Sequence, residues 1–135
     1  MIRGWGLKTS VAAALVLVAS ACSGSARSNG DGLPAPNAAI TVMVQNNAFA
    51  DMDIYAISPG GFADWVGFVP GSSSDTLTLR QTDFPDGTVR LLAHPIGGRG
   101  VARTGPLLVG PGEKVSFTIM DPLRLSFATV RGSRS

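Results

Sequence analysis

This 135-residue chain has one cysteine, one histidine and one tyrosine. Each scarcity closes off a class of chemistry. A lone cysteine cannot form an internal disulfide, so no covalent cross-link staples the fold. A zinc centre takes three or four Cys, His, Asp or Glu ligands, and its preferred nitrogen and sulfur donors are nearly missing. Glu113 is the sole glutamate and His94 the sole histidine, while a general base also needs an orienting partner within reach. His94 precedes Pro95 at the end of an alternating run, and reads as a polar residue on the face opposite Leu91 and Ala93. No catalytic residue, metal ligand or cofactor is assigned, and the chain is read as a non-enzyme.

Unbalanced charge is also lacking once the front of the chain is set apart. Arg3 and Lys8 precede an apolar run from Val11 to Val18, which ends in Ala19-Ser20-Ala21 just before Cys22. A charged segment, an apolar segment and a small-residue cleavage site in that order mark a signal peptide over residues 1–21. Cutting before Cys22 removes both cations and leaves nine basic and nine acidic residues, so the formal +2 of the whole chain falls to zero. Those charges are scattered singly. A nucleic-acid partner calls for a basic patch or stripe, and is excluded on that ground. Trp5 to Ala21 spans 17 residues and is interrupted by Lys8, Thr9 and Ser10, short of the roughly 20 apolar residues of a spanning helix.

The stretch Val18-Ala19-Ser20-Ala21-Cys22 resembles the lipobox of bacterial lipoproteins, with Ala19 where that family prefers leucine. The resemblance implies that the Cys22 thiol carries a diacylglycerol group, that the chain is cut before it, and that the new N-terminus is acylated. Two or more acyl chains, palmitate among them, give stable anchoring where one alone binds marginally. The implied location is the cell envelope, held to a membrane by the N-terminal lipid, at the outer membrane or periplasmic face in a Gram-negative cell. The same triplet also satisfies an ordinary secretory cut, which would leave a free thiol in an oxidising compartment. The position of the cysteine favours lipidation.

Residues 22–37 are rich in Gly and Ser and end in Pro34-Ala35-Pro36. Such a segment has too little apolar bulk for a core and reads as a lipidated flexible linker. The folded domain is placed at 38–131, with a disordered tail at 132–135. Across the domain apolar residues alternate with polar ones, as in Ile40, Val42, Val44, in Met52, Ile54, Ala56 and in Val115, Phe117, Ile119. Period two over four to eight residues marks a half-buried strand. Turn-forming clusters such as Ser58-Pro59-Gly60-Gly61 and Gly110-Pro111-Gly112 separate the runs. The pattern predicts about eight strands, at 39–46, 51–57, 64–69, 75–81, 88–94, 104–109, 113–120 and 123–130. Strands with one apolar face pair into antiparallel sheets that pack face to face, so the fold class expected is an all-β, single antiparallel β-sandwich. Pro106 cannot donate to a ladder, which makes 104–109 the expected edge strand.

Val69-Pro70-Gly71 and Val109-Gly110-Pro111-Gly112 each open an alternating strand. The second, running on into Glu113, is similar to turns of bacterial immunoglobulin-like and transthyretin-like sandwiches. That resemblance implies a sandwich rather than a barrel.

Aromatic residues at predicted turns are the best sign of a binding surface. Phe49, Phe62, Trp65 and Phe84 all lie in or beside them. Large rings there either plug the ends of the core or stack on a partner. Arg99 and Arg103 flank Gly100 on a Gly-rich loop suited to an anion. Phe62, Trp65, Phe84 and Arg99 are taken as candidate ligand contacts. The Asp51/Asp53 and Asp83/Asp86 pairs lack the spacing of a calcium loop and read as turn caps. The functional expectation is a lipid-anchored, non-enzymatic binding or accessory module for an envelope protein or a glycan. A self-associating structural protein using its sheet edges stands as the alternative, and a small hydrolase or inhibitor as the remaining one.

Overall fold

A computed structural model describes residues 38–132. The expected signal peptide, Cys22, the expected linker and the last three residues lie outside the described residues. Within them the chain forms nine strands and no α-helix: β1 (Ile40–Asn46), β2 (Met52–Ile57), β3 (Ala63–Val69), β4 (Ser73–Leu79), β5 (Thr88–Pro95), β6 (Ala102–Arg103), β7 (Leu107–Leu108), β8 (Lys114–Ile119) and β9 (Phe127–Arg131). One sheet runs β4-β1-β8-β9 and the other β3-β2-β5-β6, with β7 also on β5. The domain is a β-sandwich.

The alternation read from the sequence explains which faces meet. Ile40, Val42 and Val44 of β1 and Val115, Phe117 and Ile119 of β8 are buried, as are Met52, Ile54 and Ala56 of β2 and Val89, Leu91 and Ala93 of β5. They form one apolar cluster shared by the two sheets. Full burial of each large aliphatic or aromatic side chain contributes about 1.5–3 kcal/mol relative to exposure. Without a disulfide, that shared core is what holds the sheets together.

Three expectations change. First, β1 pairs antiparallel with β4 but parallel with β8. A crossing from β7 in one sheet to β8 in the other starts at the end where β1 starts, so the two strands run side by side. Residue alternation carries no information on strand direction. Second, the expected 104–109 strand is two short pieces, β6 and β7, that pair with opposite ends of β5. Thr104, Gly105 and Pro106 separate them. Thr104 keeps the ladder going alone: its N–H donates to the Leu91 carbonyl at 2.9 Å and its hydroxyl accepts from the Leu91 N–H at 2.9 Å. Pro106 therefore does sit on an edge, where its missing donor costs nothing. Third, the expected 123–130 strand starts late. Leu123–Leu125 is a short 3-10 turn, and β9 then turns Ala128 and Val130 inward while Phe127 faces out. A regular strand over 123–130 would have put Leu123, Leu125 and Phe127 on one face.

The two Pro-Gly turns do different work. Glu113 N–H closes the 110–113 turn on the Gly110 carbonyl at 3.1 Å, and the Glu113 carboxylate accepts the Gly110 N–H at 2.7 Å. Gly112, at φ +75°, takes the left-handed position such a turn reserves for glycine. At 70–71 the left-handed residue is Ser72 instead. Gly71 is required there because any Cβ would collide with the Phe49 carbonyl oxygen, and its N–H is held by Asp51 Oδ1 at 2.9 Å.

Asn46 is the one buried polar residue of the core among the described residues. Its amide nitrogen donates to the carbonyls of Ala50 at 2.8 Å and Pro70 at 3.0 Å, and its oxygen accepts from Ala48 N–H at 3.1 Å. It thus ties the β1–β2 loop to the β3–β4 corner.

Candidate functional site

The four candidate contacts do not converge. Phe62 is 74% exposed in the turn between β2 and β3. Arg99 is exposed on the loop between β5 and β6, which lies at the opposite end because β5 runs antiparallel to β2. Phe84 is 2% exposed and belongs to the core. It forms the floor of a cleft of about 360 Å³ rimmed by Asp64, Trp65, Arg80 and Asp83. Phe84 plugs the open side of the sandwich and shows little of its ring to the cleft. Phe49, at the other end, is almost wholly exposed.

Trp65 alone leads to an organised surface. The outer face of the five-stranded sheet follows from strand register. On β2 the outward residues are Asp53, Tyr55 and Ile57, since Met52, Ile54 and Ala56 point into the core. Asp53 is opposite Phe68 on one side and His94 on the other. Tyr55 is opposite Trp65 and Leu92, and Leu92 is opposite Arg103. Ile57 is opposite Arg90. Trp65 and Phe68 are exposed and Tyr55 is half-buried.

A bulge creates this arrangement. Between Ile54 and Tyr55 the β2–β3 register shifts by one residue, leaving Val66 unmatched. Val66 packs against the core. The inserted residue puts Trp65 and Phe68, three apart, on the same outward face. The indole Nε1 then donates to Asp53 Oδ1 at 3.1 Å. Asp53 lies two residues along β2 from the position opposite Trp65, so the bond draws the indole along the sheet instead of letting it stand upright.

Arg90, His94 and Arg103 are exposed on the same face. The one salt bridge among the described residues joins Arg80 to Asp83 at 3.1 Å, so neither Arg90 nor Arg103 is neutralised by a carboxylate there. Two further acidic groups are engaged in turns. Asp86 accepts the Thr88 N–H at 2.9 Å, and Asp51 holds Gly71 as described. Among the described residues no three Cys, His, Asp or Glu side chains gather as a metal site.

A larger open cleft, of about 710 Å³, lies at the loop end between the β4–β5 and β7–β8 connections, lined by Gln81, Asp86, Leu108 and Glu113 among others. Its Gln81 Oε1 is buried without a hydrogen-bond partner.

No protein-family model and no curated protein matches this chain. A solved NMR structure of a protein from Eubacterium rectale is similar over 76% of this chain and 98% of its own, at 12% identity and a TM-score of 0.44.

Proposed function

We propose that this protein is a lipid-anchored, non-enzymatic binding module of the bacterial cell envelope, and that it binds through the outer face of its five-stranded sheet. One observation carries the binding half of this reading: Trp65, Tyr55 and Phe68 are brought onto one outward face, and the leading ring is fixed by its bond to Asp53. Exposed rings held in place cost little entropy when a ligand covers them. The anchor half rests on the sequence before and at Cys22. β1, the first strand of the described residues, lies in the other sheet.

A sedimentation assay tests the binding half. Full-length protein in detergent is mixed with protease-treated envelope polysaccharide. The parent should sediment with it and Trp65→Ala/Phe68→Ala should stay in solution. Equal behaviour of the two would refute the assignment of the face. Intact mass tests the anchor: protein extracted from membranes should exceed the 22–135 polypeptide by its acyl groups, and a bare Cys22 would end that half.

A further inference from the structure

We infer that the ringed face is built for a glycan that carries carboxylate groups. The inference rests on the binding-module reading above and names its ligand class.

The face is graded from apolar to cationic. Trp65, Tyr55, Leu92 and Arg103 are successive neighbours across β3, β2, β5 and β6. At the spacing of adjacent strands that row is about 14 Å long, the span of a short oligosaccharide. One end offers rings. The other offers a guanidinium, with Arg90 outward on β5 two residues before Leu92. The rings are plates rather than pockets. A protein partner seats large apolar side chains in pockets, whereas a sugar ring lays its C–H face flat on an aromatic plate.

The charge on the face selects among glycans. Asp53 is its one carboxylate, and Trp65 already donates to it. Arg90 and Arg103 have no carboxylate within salt-bridge distance among the described residues. Two free guanidiniums against one engaged carboxylate leave the face cationic, although the chain from Cys22 onward is neutral. Arginine presents a planar fork of donors that matches a carboxylate in two parallel hydrogen bonds. A uronic acid supplies both halves of the match, a pyranose face for the rings and a carboxylate for the arginines.

Titration of the full-length protein in detergent, in a Trp5→Phe background that leaves Trp65 as the sole tryptophan whether or not residues 1–21 are removed, tests this. The probes are polygalacturonate, a neutral β-1,4-galactan and dextran sulfate. Polygalacturonate should shift Trp65 emission saturably and bind about tenfold or more tighter than the galactan, the discrimination expected of a charge-assisted pair. Arg103→Ala and Arg90→Ala should each weaken polygalacturonate about five- to tenfold and the galactan by no more than about twofold. Equal affinity for the two galactose polymers, with the arginine variants unaffected, overturns the carboxylate inference but leaves the ringed face as a glycan binder. Dextran sulfate binding as tightly as polygalacturonate, with Trp65→Ala binding both like the parent by sedimentation, means simple ion exchange and overturns it as well. No response to any probe also overturns it. The envelope sedimentation of the parent and the Trp65→Ala/Phe68→Ala variant then decides separately whether the face binds at all.

Discussion

Trp65 and Phe68 lie three residues apart on one strand and yet share a face, because the register slip at Val66 absorbs the odd residue. In a regular strand an odd spacing sends two side chains to opposite sides. Here it would turn one ring toward the partner sheet and leave the outer surface with two aromatic rings instead of three. The Asp53 carboxylate then holds the indole down at 3.1 Å. Asp53→Ala should release it. In the Trp5→Phe background, Trp65 should show faster acrylamide quenching and lower emission anisotropy. Global stability should fall by less than about 1 kcal/mol, since the bond is solvent-exposed. Unchanged quenching would mean that the ring is fixed by packing alone.

The exposed and buried phenylalanines separate by the same kind of measurement. Phe84 is wholly enclosed and Phe62 mostly exposed. Phe84→Ala should lower the unfolding free energy by about 3–5 kcal/mol in urea titration, the usual cost of emptying a core aromatic site. Phe62→Ala should stay within about 0.5 kcal/mol of the parent. The two rings looked alike in the sequence, as aromatics beside turns.

That ambiguity shows what a sequence of this type reveals. Where a strand alternates bulky apolar with polar residues, as β1 and β8 do, the buried set is plain, and the two-layer architecture follows. Where a turn interrupts the alternation the phase is lost. A regular strand from 123 onward would put Leu123, Leu125 and Phe127 on one face, but a 3-10 turn after Pro122 resets the count, so that Ala128 and Val130 go inward and Phe127 outward. The site was harder still to read. Phe68, Tyr55, Leu92 and Arg90 passed as ordinary strand residues because their meeting depends on cross-strand register, which no local pattern encodes. Trp65 was picked out for its residue type, and the odd Trp65–Phe68 spacing was the one hint of a bulge.

Asn46 makes a third test, this time of a buried polar tie. Asn46→Ala removes the acceptor of the Ala48 N–H and the donor to Ala50 and Pro70. Leaving those groups buried and unpaired should cost about 3 kcal/mol. Asn46→Asp keeps the shape but points an anion at carbonyl oxygens, so at neutral pH it should be worse than alanine. Acidification, which neutralises the carboxyl and restores one donor, should recover part of the loss. A urea titration of both variants at neutral and acidic pH checks the order, and an Asp variant as stable as the Ala one at neutral pH would contradict it.

Thr104 carries the last prediction, and it links the edge of the sheet to the binding face. Its N–H and hydroxyl together satisfy both backbone groups of buried Leu91, each at 2.9 Å. Flanking Gly105 and Pro106 offer β5 no ladder bond there, so the hydroxyl stands in for a missing backbone acceptor. Thr104→Val keeps the volume and the N–H but removes that acceptor. The Leu91 N–H is then left without a partner, at a cost of about 1–2 kcal/mol. Local opening should grow in step, and amide exchange at Leu91 should speed about five- to thirtyfold if it proceeds by that opening. Thr104→Ser restores the hydroxyl and should return exchange close to the parent rate. Arg103 is the adjacent residue and faces the ringed surface, so the valine variant should also weaken polygalacturonate binding while leaving the galactan unaffected. Fast exchange with unaltered polygalacturonate binding would place Arg103 outside the binding row.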